Sequence, residues 1–155
     1  MKSTFKLIIS VLIPLIIGFL GSFFTASSVD SWYTTINKPS FNPPGWIFAP
    51  VWTTLYILIG VSFYSVWMKN FGEERKKVII VYSMQLLLNL LWSVLFFGLR
   101  SPLLGLIDII ILIAFIIANT IIFYKISKTA GYLLIPYLLW VSFASVLNFS
   151  IFLLN

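Results

Sequence analysis

Apolar residues fall in five long runs along the chain, separated by short polar segments. The runs span residues 7–24, 46–68, 78–99, 102–124 and 130–154. Each is close to the ~20 residues that a helix needs to cross a bilayer. No series of short alternating segments suggests a β-barrel. In hydrocarbon the backbone must satisfy its own hydrogen bonds, so each run predicts a helix. The pattern predicts an all-α integral membrane protein, a five-transmembrane-helix bundle forming a single domain over 1–155. Residues 100–101 and 125–129 are short enough to force antiparallel neighbours.

The first run follows Lys2 and Lys6 and precedes the small residues "TASS" at 25–28, as a signal peptide would. It is longer than the ~7–15 residues of an h-region, which predicts a retained helix. Pro14 and Gly18 mark a kink or a close-packing point.

The segment 25–45 breaks the pattern of short connections. It holds Asp30, "SWY" at 31–33, Lys38 and the prolines Pro39, Pro43 and Pro44, with Trp46, Pro50 and Trp52 just beyond. Long aromatic, proline-containing loops serve as lids or binding segments. The alternative is an interfacial segment with Trp32 and Tyr33 in the aromatic belt.

Polar and aromatic positions inside the runs form stripes. Gln85, Asn89, Trp92 and Phe96 share one face of the third run. Amides are costly in lipid without partners, so this face points inward. Pro136, Trp140, Ala144 and Asn148 repeat every four residues, and Trp52, Tyr56 and Phe63 share a face. Such stripes fit either a packed core or the wall of a ligand pocket, and Ala144 either leaves room or lets helices approach. Asp108, the only acid inside a run, is expected to be a structural acceptor for an indole or hydroxyl.

Composition narrows the chemistry. The chain is 61% hydrophobic and 9% charged, and its mean hydropathy is +1.07. No cysteine or histidine is present, which excludes disulfides, thiolate or imidazole metal sites and an imidazole base. The net charge of +6 is dispersed at helix ends, a membrane-orientation signal and not a nucleic-acid surface. Eight of the ten cations (Lys2, Lys6, Lys69, Arg75, Lys76, Lys77, Lys125, Lys128) fall on one side, leaving Lys38 and Arg100 on the other. In a bacterial plasma membrane this predicts a cytoplasmic N-terminus, with the C-terminus and the 25–45 loop outside.

Taken in order, "GFLGSFF" (18–24), "WY" (32–33), "KPSFNPPGW" (38–46), "PVWTTLY" (50–56), "QLLLNLLWSVLFFG" (85–98), Asp108 and "LLIPYLLWVSFASVLN" (133–148) resemble the TspO/MBR family. That family comprises translocator proteins, tryptophan-rich sensory proteins and peripheral-type benzodiazepine receptors. The resemblance implies a usually homodimeric five-helix bundle that binds porphyrins, sterols and benzodiazepine-type ligands. By matching motif positions it implies a pocket of Tyr33, Trp52, Tyr56, Asn89, Trp92, Trp140 and Ala144, with Pro44 in the lid-like loop 25–45. Prolines would stiffen that lid. Porphyrin would be ligand or substrate, with no resident cofactor. The resemblance also implicates Trp52 and Trp140, on opposite cavity walls, as catalytic residues in light- and oxygen-dependent porphyrin degradation. Translocation of porphyrin or sterol is the alternative; coupled transport lacks a chain of ionisable groups across the membrane. The C-terminal "LNFSIFLLN" has Phe149 and no cation where sterol binders carry a Tyr followed by Arg or Lys. This departure weakens the expectation of cholesterol.

Overall fold

A computed structural model describes residues 2–155. Its helices are α1 (Ser3–Ala26), α2 (Trp32–Thr35), α3 (Phe48–Trp67), α4 (Arg75–Ser93), α5 (Pro102–Ile126) and α6 (Lys128–Leu154). Five helical stretches are long and apolar enough to cross a membrane, and no strand occurs among the described residues. Except in α3, the long helices outrun the apolar segments at the end that carries most of the cations. Thus α4 takes in Arg75, Lys76 and Lys77, because backbone hydrogen bonding continues into the interface where cations remain solvated. The segment 25–45 is partly helical: its first two residues close α1, and α2 lies within it.

Local chemistry punctuates the helices. Ser101 caps α5 by accepting from the Leu104 N–H at 3.1 Å, with Pro102 opening the helix. Ser127 alone separates α5 from α6 and caps the latter. Such a tight hairpin needs Gly131, where a Cβ would lie 2.6 Å from the Tyr124 Cβ.

The spanning helices form a closed ring in the order α1, α3, α6, α5, α4. At one end lie the turn 68–74 and Ser127, together with most of the cations; this is the basic end. At the other, the loop end, segment 27–47 is fastened to the helix termini. Asn37 donates from its backbone N–H to Asn155 Oδ1 (3.1 Å), and Asn155 Nδ2 donates back to the Asn37 carbonyl (2.9 Å). Lys38 Nζ donates to the carbonyls of Tyr33 (2.7 Å) and Ile36 (3.1 Å), which closes the loop on itself.

Packing differs along the ring. Towards the basic end, α1 and α3 touch backbone to backbone: a Cβ on Gly60 would sit 2.6 Å from the Ser10 carbonyl oxygen. Nearby, Phe63 stacks on Tyr82 with centroids 4.5 Å apart, and Tyr82 on Phe123 at 5.8 Å. Towards the loop end, α1 and α3 are separated by the ring of Tyr56, which lies directly over Gly18. Gly18 is therefore a close-packing point, as its position in the first run suggests.

Candidate functional site: an aromatic cavity at the loop end

Where the helices separate, the bundle encloses a cavity of about 550 Å³. Its lining comes from α1, α3, α4 with the turn Val94–Gly98 that follows it, and α6, with Val29 and, from α2, Tyr33 above; α5 contributes none. Seven of the eight ligand-site candidates meet here: Tyr33, Trp52, Tyr56, Asn89, Trp92, Trp140 and Ala144. Pro44 does not. It is exposed and precedes the 3-10 turn Gly45–Ile47 that leads into α3, so it shapes the approach to the cavity without lining it.

The walls are built of ring faces. Trp52 stacks on Tyr56 (5.6 Å, 28°) along α3, and Trp92 of α4 stacks on Phe96 just beyond it (4.9 Å, 17°). Trp140 meets Phe48 edge-on at 6.1 Å. Trp32 and Tyr33 pack on Phe96 and Phe97 at 5.6 Å, which makes α2 a roof over the cavity. The Tyr33 hydroxyl donates to Asn42 Oδ1 at 3.0 Å. Burial pushes its pKa above the ordinary phenol value, against a smaller opposing effect of that hydrogen bond, so the hydroxyl stays a donor at neutral pH.

Polar groups at the site mostly tie helices together. The Tyr56 hydroxyl donates to Asn89 Oδ1, Asn89 Nδ2 donates to the Tyr137 hydroxyl, and Tyr137 donates to Gln85 Oε1, each at 2.8 Å. Asn89 thus links α3, α4 and α6 at the cavity floor, with one amide hydrogen left over. Trp92 Nε1 donates to Asn148 Oδ1 (2.9 Å), and Asn148 Nδ2 donates to the Pro102 carbonyl (2.9 Å). Only Trp140 among the candidate tryptophans carries a buried indole N–H with no partner among the described residues. Asp108, the one acid inside a run, corrects an expectation. It is buried on α5, yet neither carboxylate oxygen accepts from an indole or hydroxyl.

The sequence model of the TspO/MBR family matches residues 10–154. The chain belongs to the TspO/MBR family. It is similar to the "Tryptophan-rich protein TspO" of Archaeoglobus fulgidus, 52% identical over 150 residues covering 97% of each chain. It resembles the protein of the same name from Chlorobaculum tepidum at 46% identity, covering 99% of this chain and 98% of that one. The "Translocator protein" of Bos taurus is 38% identical, covering 89% of this chain and 83% of that one. With its five apolar spanning helices, the chain is an integral membrane protein.

Sequence reasoning missed several members of this TspO/MBR cavity. Phe97 lines it because the turn that follows α4, Val94–Gly98, is a π turn that departs from the regular 3.6-residue period. Phe48 and Gly21 also line the cavity. "GFLGSFF" was the available signal for Gly21, since paired small residues in a spanning helix mark close approach.

Proposed function

We propose that this protein is a membrane receptor of the sensor type whose loop-end cavity binds a porphyrin, metal-free protoporphyrin foremost. Flat benzodiazepine-type aromatics are the second ligand class. The supporting observation is the set of aromatic faces from Trp52, Tyr56, Trp92 and Trp140 around one cavity of about 550 Å³. Large, flat, apolar molecules stack on such faces, and the volume falls within the ~300–1,000 Å³ usual for small-molecule sites. With no histidine or cysteine in the chain, haem gains no imidazole or thiolate ligand. Titration with protoporphyrin, haem and cholesterol in parallel, followed by tryptophan quenching, tests this reading. Saturable protoporphyrin binding at least as tight as that of haem is expected. Saturable binding of cholesterol alone overturns it.

A second reading is catalytic: dioxygen oxidises the bound porphyrin under light, and an indole gives up an electron and regains it. It is favoured by Trp52 and Trp140 both lining the cavity, the latter with its N–H unpartnered. Translocation of the ligand remains the alternative, in keeping with the name carried by the bovine relative.

The proposed setting is a plasma membrane with the basic end in the cytoplasm and both the loop and the C-terminus outside. An active periplasmic-type reporter fused to the N-terminus would contradict it. A homodimer is the proposed assembly. Sedimentation in detergent tests this, monomer being the contrary result.

A further inference from the structure

The cavity lining contains no Asp, Glu, Lys or Arg. A ligand that carries carboxylates therefore finds no cation inside, and its acidic edge must stay at the rim. Only Lys38 and Arg100 among the cations lie at the loop end. Lys38 is half-buried, donates to the carbonyls of Tyr33 and Ile36, and lies 4.9 Å from the Tyr33 ring centroid. It is engaged in holding the loop.

Arg100 differs in two respects. Its backbone is left-handed, with φ of 54°, at the point where the π turn ends and the Ser101 N–H returns to the Leu95 carbonyl. Glycine is the usual residue at such a helix terminus, and an arginine there carries a backbone cost. Its side chain is also aimed and largely free. Nε donates to Ser28 Oγ (3.1 Å), which donates in turn to the Phe97 carbonyl (2.5 Å). Phe97 and Val29, next to Ser28, both line the cavity. The clamp holds the guanidinium beside the cavity's rim with four N–H donors unengaged. Among the described residues it makes no other side-chain hydrogen bond.

Building on the porphyrin reading above, we propose that Arg100 is the carboxylate anchor of this site, selecting ligands with an acidic edge over neutral ones of the same shape. The planar guanidinium suits a carboxylate, which it can grip through two parallel N–H bonds. Ser28 is the positioning residue that aims it.

The test crosses ligand charge with the side chain. Protoporphyrin and its dimethyl ester share a macrocycle and differ in charge. Both are titrated into wild-type protein, Arg100→Gly and Arg100→Lys in the same uncharged detergent, which excludes lipid phosphate as the partner. Arg100→Gly removes the side chain while relieving the left-handed backbone, so the fold is kept. Wild type is expected to favour the diacid about fivefold, the scale of a partly exposed ion pair. Arg100→Gly should erase that preference through the diacid alone, leaving the ester within twofold. Arg100→Lys should keep part of it. An undiminished preference in Arg100→Gly, or equal losses for acid and ester, overturns the anchor and leaves a structural clamp. If neither compound binds wild type, the porphyrin reading fails, and the anchor that rests on it fails too.

Discussion

The two halves of this bundle use the same kind of residue for opposite purposes. Near the basic end, Phe63, Tyr82 and Phe123 stack on one another and fill the centre, and Phe123 is wholly buried. Near the loop end, Trp52, Trp92 and Trp140 are only half-buried and turn faces towards a shared space. Aromatic content does not separate core from pocket. Helix spacing does: α1 and α3 touch at Gly60, whereas a whole phenol ring fits between them at Gly18. A filled half gives the walls of the hollow half a rigid base, and preformed walls lower the ordering cost of binding.

The sharpest way to break this contrast is at Phe123. Phe123→Ala should cost about 3 kcal/mol in thermal unfolding, the low end for a core Phe because the unfolded chain also sits in apolar surroundings. Porphyrin affinity of the folded variant should not change. A large loss of affinity would mean the halves are not separable.

Asn89→Leu comes next. It strands the Tyr56 hydroxyl and removes the donor to Tyr137, which keeps its bond to Gln85, so a stability loss of about 1–3 kcal/mol is expected. Ligand affinity should fall by less, since the amide already serves the helices. Unchanged stability with abolished binding would make Asn89 a ligand contact first.

Gly18→Ala tests spacing itself. The added Cβ collides with the Tyr56 ring, and overpacking of this kind costs about 1–3 kcal/mol. Because the displaced ring borders the cavity, much of that strain should appear as weaker porphyrin binding. Wild-type affinity and stability together would show that α1 and α3 can separate freely.

Trp52→Phe and Trp140→Phe sharpen the comparison from the hollow side. Neither ring fills a core, so stability should change by less than about 1 kcal/mol. Porphyrin binding should persist while a discrete photoproduct is lost. The same product at the wild-type rate and equal occupancy would retire the catalytic reading. The smallest effect is expected at Asp108, whose oxygens have no partner among the described residues. Asp108→Asn keeps the size of the side chain and breaks no side-chain hydrogen bond among the described residues, so its stability change should be smaller than any of those above. A marked loss of stability would reveal a partner for the acid.

Five spans, their antiparallel order and the basic end were readable from residue order alone, because lipid imposes helix length and backbone satisfaction on any sequence that enters it. The motif resemblance reached seven of the cavity's residues, but periodicity alone did not. Tyr56 and Phe63 share one face of α3, yet one borders the cavity and the other joins the filled core. Gly60 lies between them, and its contact with Ser10 on a helix far away in sequence marks where the centre closes. The π turn that brings in Phe97, the engagement of Asn89 with two tyrosines and the aim of Arg100 through Ser28 are likewise contacts between distant segments. A stripe records which way a side chain points. Whether it meets another ring or open space depends on how far away the neighbouring helix stands, which only the packed bundle decides.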